Sequence, residues 1–340
     1  MVKIILDAFG GDYSPNEVIL GAVESVNKNP DIHIVLAGKE DEIYAQLDML
    51  KYNEEQISVL NASEVISNNE SATQAIRTKK DSSLVRAFDY AKDNDDVIGI
   101  ISAGSTGAVL TGGFLKLGRL KGIHRPALCP VFPTLVGGSV CICDAGANMD
   151  CKPEYLEQFA LMASAYMKIL GVKKPRVAQL NVGTEDHKGD IRAKETFELL
   201  KGNKYLNFVG NMEARDVMSG EFDVVVADGF AGNVLLKSTE GAMKGILNAL
   251  KEDIKSSFLS KIGAVFMKGT FDRLKAKFDY SKQGGAVLLG CKKLLVKAHG
   301  NSKAGSFVTC VEQLYAMHQG KLIDKISKSL TDAGVKGEDE

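Results

Sequence analysis

The chain has 340 residues, of which 45% are hydrophobic and 25% charged, and its formal net charge is -1. This ordinary globular composition excludes long disorder and fibrous repeats, and the near-neutral charge gives no reason to expect a nucleic-acid partner. No apolar run approaches the roughly 20 residues of a membrane span, and the apolar N-terminal stretch is too short for a signal peptide, so we expect a cytoplasmic protein.

Short apolar runs alternate with longer amphipathic segments, which predicts alternating β-strands and α-helices. The runs at 98–101 and 224–227 are apolar throughout, which is typical of strands that helices cover on both faces of a parallel sheet. The pattern favours a doubly wound α/β fold with a mostly parallel sheet. In chain order, the predicted elements are strand 2–6, helix 17–26, strand 32–37, helix 41–50, strand 57–60, helix 82–91, strands 97–102, 127–132 and 139–143, helix 153–170, strands 176–180, 206–209 and 224–227, and helix 233–250.

No linker rich in proline, serine or charge divides the chain. We therefore predict a single large α/β domain over residues 1–333, with room for two lobes. The small and charged residues at 334–340 predict a frayed tail.

The six cysteines show no metal-binding pattern, because none of them forms a C-x-x-C pair. Cys141 and Cys143 stand two apart in an apolar run, so both should face the same side of a strand. We predict buried free thiols, which suit a reducing cytoplasm.

Five predicted strands end in loops that combine glycine with Asp, Asn or Ser. In open parallel sheets, ligands bind outside the carboxyl ends of the strands, and glycine lets backbone N–H groups approach an anion closely. Any one loop is explained as simply by a helix cap or a tight turn, but five together predict an anion site along one edge of the sheet. The loops are 7–12 (DAFGGD), 102–107 (SAGSTG), 144–148 (DAGAN), 181–186 (NVGTED) and 228–233 (DGFAGN).

The common nucleotide and hydrolase motifs do not occur in this sequence. There is no G-x-x-x-x-G-K-[ST], no H-E-x-x-H and no G-x-S-x-G, and the loop at 102–107 has two glycines without forming G-x-G-x-x-G. The sequence therefore argues against a P-loop, and no motif favours a covalent serine or cysteine mechanism.

Basic and polar residues stand next to these loops. Lys188 follows the fourth loop, while Lys297, His299 and Ser302 follow an apolar run near the C-terminus. We expect Ser302 to cap a helix. A lysine, a histidine and a serine at a helix start can bind a phosphate or an oxyanion. The alternative is a solvated surface charge for each lysine and a structural role for the histidine.

Residues 251–282 form a basic amphipathic segment, with eight Lys and Arg against four Asp and Glu. Such a segment can lie on an anionic membrane surface, or it can pack against the body of the protein or a dimer partner. The apolar residues that share one helical face are Phe258, Leu259, Ile262, Val265 and Phe266.

Ten short stretches carry a resemblance to a known family: 6–12 (LDAFGGD), 80–84 (KDSSL), 102–108 (SAGSTGA), 125–127 (RPA), 144–148 (DAGAN), 180–186 (LNVGTED), 210–213 (GNME), 228–234 (DGFAGNV), 284–290 (GGAVLLG) and 297–300 (KAHG). Each is weak alone, but together and in this order they resemble the phosphate acyltransferases of bacterial phospholipid synthesis, the PlsX family. The chain departs from the family at Ser105, where Asn is usual, at Phe9, which replaces a common Met, and at Val287, where Pro is usual.

The resemblance implies a three-layer α/β/α fold similar to that of isocitrate and isopropylmalate dehydrogenases, and a homodimer. It implies that acyl-(acyl carrier protein) and inorganic phosphate are converted into acyl phosphate and free carrier protein, which feeds phospholipid synthesis. It also implies peripheral membrane association, which fits residues 251–282. This chemistry requires no cofactor and no metal. The acidic carrier protein would want a basic patch, for which Arg119, Lys121 and residues 251–282 are candidates.

We assign hypothetical roles at the level of loops. The phosphate-binding candidates are Gly10, Gly11, Ser102, Gly104, Ser105, Thr106 and Ser302. The catalytic candidates are Lys188, Lys297 and His299. The candidates for binding the acyl substrate are Asp7, Asn148, Asn181, Asp228 and Asn233. Two other functions stay open: a nicotinamide-dependent dehydrogenase on a similar fold, and a non-catalytic membrane-surface scaffold that recruits acyl carrier protein.

Overall fold

The computed structural model describes residues 1–67, 69–277 and 284–335, in which the strands form two β-sheets. The strands are β1 (Val2–Asp7), β2 (Ile32–Gly38), β3 (Ile57–Asn61), β4 (Val97–Ser102), β5 (Ala127–Cys129), β6 (Val131–Pro133), β7 (Ser139–Cys143), β8 (Arg176–Asn181), β9 (Asn207–Glu213), β10 (Val224–Val226), β11 (Ala286–Leu289) and β12 (Leu294–Lys297).

Both sheets are mostly parallel. The first has the order β3-β2-β1-β4-β12-β11-β5, and β11 is antiparallel to both of its neighbours. The second has the order β6-β7-β10-β8-β9, and only the edge strand β6 is antiparallel. The predicted mostly parallel α/β fold is confirmed, although the chain builds two sheets where the sequence suggested one.

Helices cover both faces of the first sheet. Alternate residues of a strand point to opposite sides, so neighbouring residues of β1 pack against different helices. Ile4 belongs to the same buried cluster as Val18 and Phe307, whereas Ile5 belongs to the cluster that contains Phe88. The helices are α1 (Asn16–Lys28), α2 (Glu40–Leu47), α3 (Ala72–Thr78), α4 (Ser83–Asp93), α5 (Thr106–Gly112), α6 (Pro153–Ile169), α7 (Ile191–Gly202), α8 (Gly229–Ser256), α9 (Phe258–Phe266), α10 (Lys268–Lys277), α11 (Ala304–Gln319) and α12 (Leu322–Ala333). The three-layer arrangement is thereby confirmed for the first sheet.

Helix α6 packs against elements of both halves of the molecule. It contacts β7 and β10 of the second sheet and also α11, which packs on β4 and β12 of the first. Tyr166 of α6 is fully buried, and its hydroxyl accepts a hydrogen bond from Nε2 of Gln313 in α11 at 2.7 Å. One cluster of buried side chains therefore joins both sheets. A single domain with two lobes stays a prediction, and the shared core is consistent with it.

The predicted strand at 127–132 is wrong in one respect, because it divides at Pro130 into β5 of the first sheet and β6 of the second. Proline has no N–H to donate to a ladder, so a strand is readily interrupted there. The chain thus crosses from one sheet to the other within a single apolar run. The six cysteines are all free and buried, as predicted, and Cys141 and Cys143 belong to the same core cluster.

The basic segment at 251–282 is not one helix. It contains the end of α8, all of α9 and all of α10, and residues 278–283 lie outside the described part of the chain. Its apolar face does not pack against the body, since Phe258 and Phe266 are 76% and 86% exposed. At the other predicted boundary, Gly334 ends α12 and Val335 packs against the core, while residues 336–340 lie outside the described residues.

Candidate functional site

The five glycine-rich loops divide between the two sheets, which corrects the expectation of a single sheet edge. Loops 7–12 and 102–107 follow the neighbouring strands β1 and β4 of the first sheet. The other three follow β7, β8 and β10, which are neighbours in the second sheet. The candidate residues therefore form two groups, one at the carboxyl ends of each sheet.

The first group is organised around the buried carboxylate of Asp7. Its Oδ1 accepts a hydrogen bond from the Ser83 hydroxyl at 2.6 Å, and its Oδ2 accepts one from the Ser102 hydroxyl at 2.7 Å. The Ser102 oxygen in turn accepts the backbone N–H of Gly104 at 3.1 Å. Burial raises the pKa of Asp7, while the two hydroxyl donors and the charge of Lys297 act in the opposite direction. Asp7 thus holds the phosphate-binding candidates in place and is itself enclosed.

Gly10 lies where the first two loops touch. A Cβ at Gly10 would stand 2.6 Å from Oδ2 of Asp7, 2.7 Å from the Gly104 nitrogen and 3.0 Å from Oγ of Ser102. Gly11 has φ +105°, a conformation that favours glycine. The N–H of Asp12 donates to the carbonyl of Gly300 at 2.8 Å, which brings in a third loop, 297–302.

Lys297, at the end of β12, lies between these three loops. Its Nζ donates to the carbonyl oxygens of Ala103, at 3.4 Å, and of Ala298. Burial lowers the pKa of the Lys297 ammonium to about 8, although the carboxylates of Asp7 and Asp12 favour its charged form. An ammonium group enclosed in this way can neutralise an anion bound at the loops.

The serine and threonine candidates of this group do not cap the helices that they precede or begin. Ser302 is buried, and its N–H donates to the His299 carbonyl at 3.0 Å, but it does not cap α11. The Glu17 carboxylate takes that role, accepting the N–H of Ala304 at 2.8 Å. Ser105 occupies the residue before α5 without capping it through its side chain, and Thr106 begins that helix and is exposed.

The second group contains loops 144–148 and 228–233. Asn148 donates its side-chain amide to the Pro126 carbonyl at 2.8 Å and to Oδ2 of Asp144 at 3.0 Å. The Asn233 amide donates to the Ala145 carbonyl at 3.0 Å. Both predicted substrate-binding amides therefore use their donors to hold the loops together.

Asp228 has two structural partners. Its Oδ1 caps α8 by accepting the N–H of Ala231 at 2.9 Å, and its Oδ2 forms an ion pair with Arg192 at 2.7 Å. The Asp228–Arg192 pair lines a cavity of about 390 Å³ together with Asn181. The Asn181 amide donates to the Lys188 carbonyl at 3.1 Å, while Nζ of Lys188 lies 3.9 Å from the Glu185 carboxylate.

Comparison with known proteins identifies the family. A family model described as fatty acid synthesis protein matches residues 2–325. The phosphate acyltransferase of Clostridium tetani is 45% identical over 332 residues, which cover 97% of this chain and 98% of that protein. The chain belongs to this family. The phosphate acyltransferase of Clostridium perfringens strain SM101 is also 45% identical, over 331 residues that cover 97% of each chain. Like these relatives, the chain is a phosphate acyltransferase, as the sequence motifs predicted.

Solved structures show where else this fold occurs. A phosphotransacetylase from Streptococcus pyogenes has a TM-score of 0.60 at 16% identity, covering 95% of this chain and 94% of that chain. The 4-hydroxythreonine-4-phosphate dehydrogenase of Klebsiella pneumoniae has a TM-score of 0.52 at 15% identity, covering 94% and 99%. A dehydrogenase-like fold is thereby confirmed for this phosphate acyltransferase, and the fold alone does not separate acyl transfer from dehydrogenation.

Two residues of the site were not assigned from the sequence. Ser83 lies in the KDSSL stretch that carried part of the resemblance, yet its contact with Asp7 joins positions 76 residues apart. Arg192 belongs to no motif, and its partner Asp228 is 36 residues away. Ser83 and Arg192 both lie on helices, and only the tertiary fold brings them to their partners.

Proposed function

We propose that this phosphate acyltransferase moves an acyl group from acyl carrier protein to inorganic phosphate and so feeds phospholipid synthesis. The observation that carries the proposal is the contact between loops 7–12, 102–107 and 297–302, where glycine-rich backbone and the Lys297 ammonium lie together. A cation beside glycine-rich loops suits a small anion. The choice of acyl carrier protein as the acyl donor rests on the sequence motifs at these loops.

In the proposed reaction, a phosphate oxygen attacks the thioester carbonyl carbon. A C–O bond forms, the tetrahedral intermediate carries the charge on its former carbonyl oxygen, and the C–S bond then breaks. The sulfur leaves on the carrier and takes up a proton from solvent. Because the phosphate dianion is itself a nucleophile, positioning supplies much of the rate and no side chain needs to act as a general base.

The residues then divide by role. Gly10, Gly11 and Gly104 border the phosphate, with Ser105 and Thr106 at the rim, and Lys297 balances its charge. Ser102 fixes the first two loops through its bonds with Asp7 and Gly104, and Ser302 is buried in the third loop. His299 and Lys188 are the further candidates for stabilising the oxyanion. Asn181 and Asp228 border the cavity on the second sheet, which we assign to the thioester, with Asn148 and Asn233 fixing the shape of the neighbouring loops.

The test measures loss of acyl-(acyl carrier protein) with and without inorganic phosphate, and traps acyl phosphate with hydroxylamine. We expect thioester loss that depends on phosphate and yields the trapped product. Lys297→Ala should lower turnover at least about 10-fold, the effect of losing one charge-assisted contact, while Gly305→Ala, at a helix position with open space around it, should behave as wild type. Carrier binding without thioester loss would instead support the scaffold, and phosphate-independent reduction of a nicotinamide would support the dehydrogenase.

We also propose that α9 rests on an anionic membrane surface in a homodimeric enzyme. Its apolar residues are exposed, and Lys255, Lys261 and Lys268 flank or interrupt them. In the described part of the chain, no helix is long and apolar enough to cross a membrane. Replacing the three lysines by Gln should weaken co-sedimentation with anionic vesicles, and unchanged co-sedimentation would refute the membrane contact. If Phe258→Ser and Phe266→Ser lower the mass in light scattering, the face is a dimer contact instead.

A further inference from the structure

A cavity of about 310 Å³ lies between the two groups of loops and has two arginines in its wall. We call it the arginine cavity. The lining side chains that matter here are Arg77, Arg125, Leu110, Phe114, Leu288 and Asn148. Its volume is at the small end of the range for small-molecule sites. Apolar side chains make up about half of its wall and polar or charged ones the rest, so it can hold an elongated ligand with an anionic end.

In the part of the chain that the structure describes, no carboxylate neutralises the two arginines. Within residues 1–67, 69–277 and 284–335, neither Arg77 nor Arg125 forms an ion pair with Asp or Glu within 4.0 Å, whereas Arg86, Arg176 and Arg192 do. Guanidinium groups match phosphoryl oxygens through paired N–H donors. Two unneutralised guanidinium groups in one concave wall therefore favour a phosphoryl anion.

Arg125 lies near an aromatic ring. Its guanidinium carbon lies 5.9 Å from the centre of the Phe114 ring, and that of Arg119 lies 5.6 Å from the same ring. Arg119 also donates to the His124 carbonyl at 2.7 Å, so its donors are partly used. A cation–π contact of this kind does not use the N–H donors of Arg125, which can therefore bind a ligand.

The cavity adjoins both groups of candidate residues. Asn148 in its wall accepts the N–H of Gly229 at 2.7 Å, next to Asp228 of the second group. On the opposite side, α3, which carries Arg77, packs against α5, and a Cβ at Gly107 would lie 3.1 Å from that of Ala72. Helix α5 directly follows loop 102–107 of the first group. A ligand whose anionic end is bound by the arginines can thus extend toward the loops where the chemistry is proposed.

We propose that the arginine cavity binds the phosphodiester and the adjoining amide-bearing arm through which a carrier protein presents its acyl thioester, an inference that rests on the proposed function. The phosphodiester pairs with Arg77 and Arg125, and the methyl and methylene groups of the arm pack on Leu110, Phe114 and Leu288. Inorganic phosphate shares the phosphoryl chemistry, but it would leave the apolar part of the wall, formed by Leu110, Phe114 and Leu288, without a partner. The arm therefore accounts for the charges and for the walls together.

The first test measures binding and does not depend on turnover. Phosphopantetheine and pantetheine, which differ by the phosphoryl group alone, are titrated into the wild type, Arg77→Gln, Arg125→Gln and the matched control Arg86→Gln. We expect the wild type and the control to prefer phosphopantetheine by about 10-fold or more, and each cavity variant to lose most of that preference. Equal affinity for the two ligands in the wild type, or an unchanged preference in both variants, would overturn the proposal.

The second test is kinetic. In Arg77→Gln and Arg125→Gln we expect a KM for acyl-carrier protein raised about 10-fold, with an unchanged KM for inorganic phosphate and unchanged rates on an acyl N-acetylcysteamine thioester, which lacks the phosphodiester. A raised KM for inorganic phosphate alone would identify the cavity as a phosphate site, and equal losses on both thioesters would identify a structural effect; either overturns the proposal. If the wild type consumes no thioester with phosphate, the proposed function fails. The binding test then still decides whether the cavity binds the phosphoryl-bearing arm.

Discussion

Gly10→Ala is the substitution whose effect follows most directly from the geometry. The new methyl group would stand 2.6 Å from the Asp7 carboxylate and 2.7 Å from the Gly104 nitrogen, closer than non-bonded atoms allow. Loops 7–12 and 102–107 must separate to admit it, which also strains the Ser102–Asp7 hydrogen bond. Inserting a methyl group into such packing costs about 1–3 kcal/mol.

That free-energy cost can be converted into a change in the melting temperature Tm. The unfolding entropy of 340 residues is about 0.7 kcal/mol per K, so about 2 kcal/mol lowers Tm by about 3 °C. Displacing the two loops by about 1 Å should cost about 100-fold in kcat/KM, because positioning of phosphate is what these loops are proposed to supply. Thermal unfolding and phosphate-dependent thiol release measure the two effects.

Gly305→Ala serves as the control, since a Cβ there meets nothing within 4 Å in helix α11. It should leave turnover unchanged and raise stability by about 0.5–1 kcal/mol, as alanine does in a helix. If Gly10→Ala behaves like Gly305→Ala in both measurements, the close contact of the two loops is not a feature of the protein in solution.

Three further predictions concern the same groups. Burial lowers the pKa of Lys297 to about 8, so its charge is lost as pH rises through that value. KM for phosphate should therefore rise there in the wild type but not in Lys297→Arg, whose guanidinium stays charged. Parallel pH profiles of KM in the two proteins would contradict this. Ser83→Ala removes a donor to the buried Asp7 and should cost about 1.5–3 kcal/mol, seen as a Tm lower by about 2–4 °C; an unchanged Tm would show that the bond contributes nothing. For Arg192→Gln and Asp228→Asn, a double-mutant cycle on unfolding should give a coupling of about 1–3 kcal/mol, and additive effects would argue against the ion pair.

The sequence predicted most strands well because a buried parallel strand is apolar along its whole length. The apolar runs predicted β4 and β10, whose residues are all buried. The proline at position 153 correctly predicted the start of α6. The sequence did not predict the division of 127–132 at Pro130, because both halves are equally apolar and only pairing decides which sheet each joins. It anticipated a helix start near Ser302, where α11 begins at Ala304, but it gave no bounds for α11 and did not predict α12.

The candidate site was predicted at the level of loops but not of contacts. Asp7 was assigned to the substrate, whereas its carboxylate is enclosed by Ser83 and Ser102. Asn148 was assigned likewise, whereas its amide donates to Pro126 and Asp144. Residue type shows that a side chain can bind a ligand, but hydrogen bonds across long stretches of sequence decide whether its donors and acceptors are already used.

The crossing at Pro130 has a consequence for how the molecule can be divided. Asp144, at the end of β7 in the second sheet, accepts the N–H of Leu128 in β5 of the first sheet at 2.9 Å, and the N–H of Ala145 donates to the Leu128 carbonyl at 2.9 Å. A fragment that contained one sheet alone would leave these buried groups unsatisfied and would expose the apolar side of α6. We therefore expect neither half to fold when expressed separately, and the intact chain to melt in one cooperative transition.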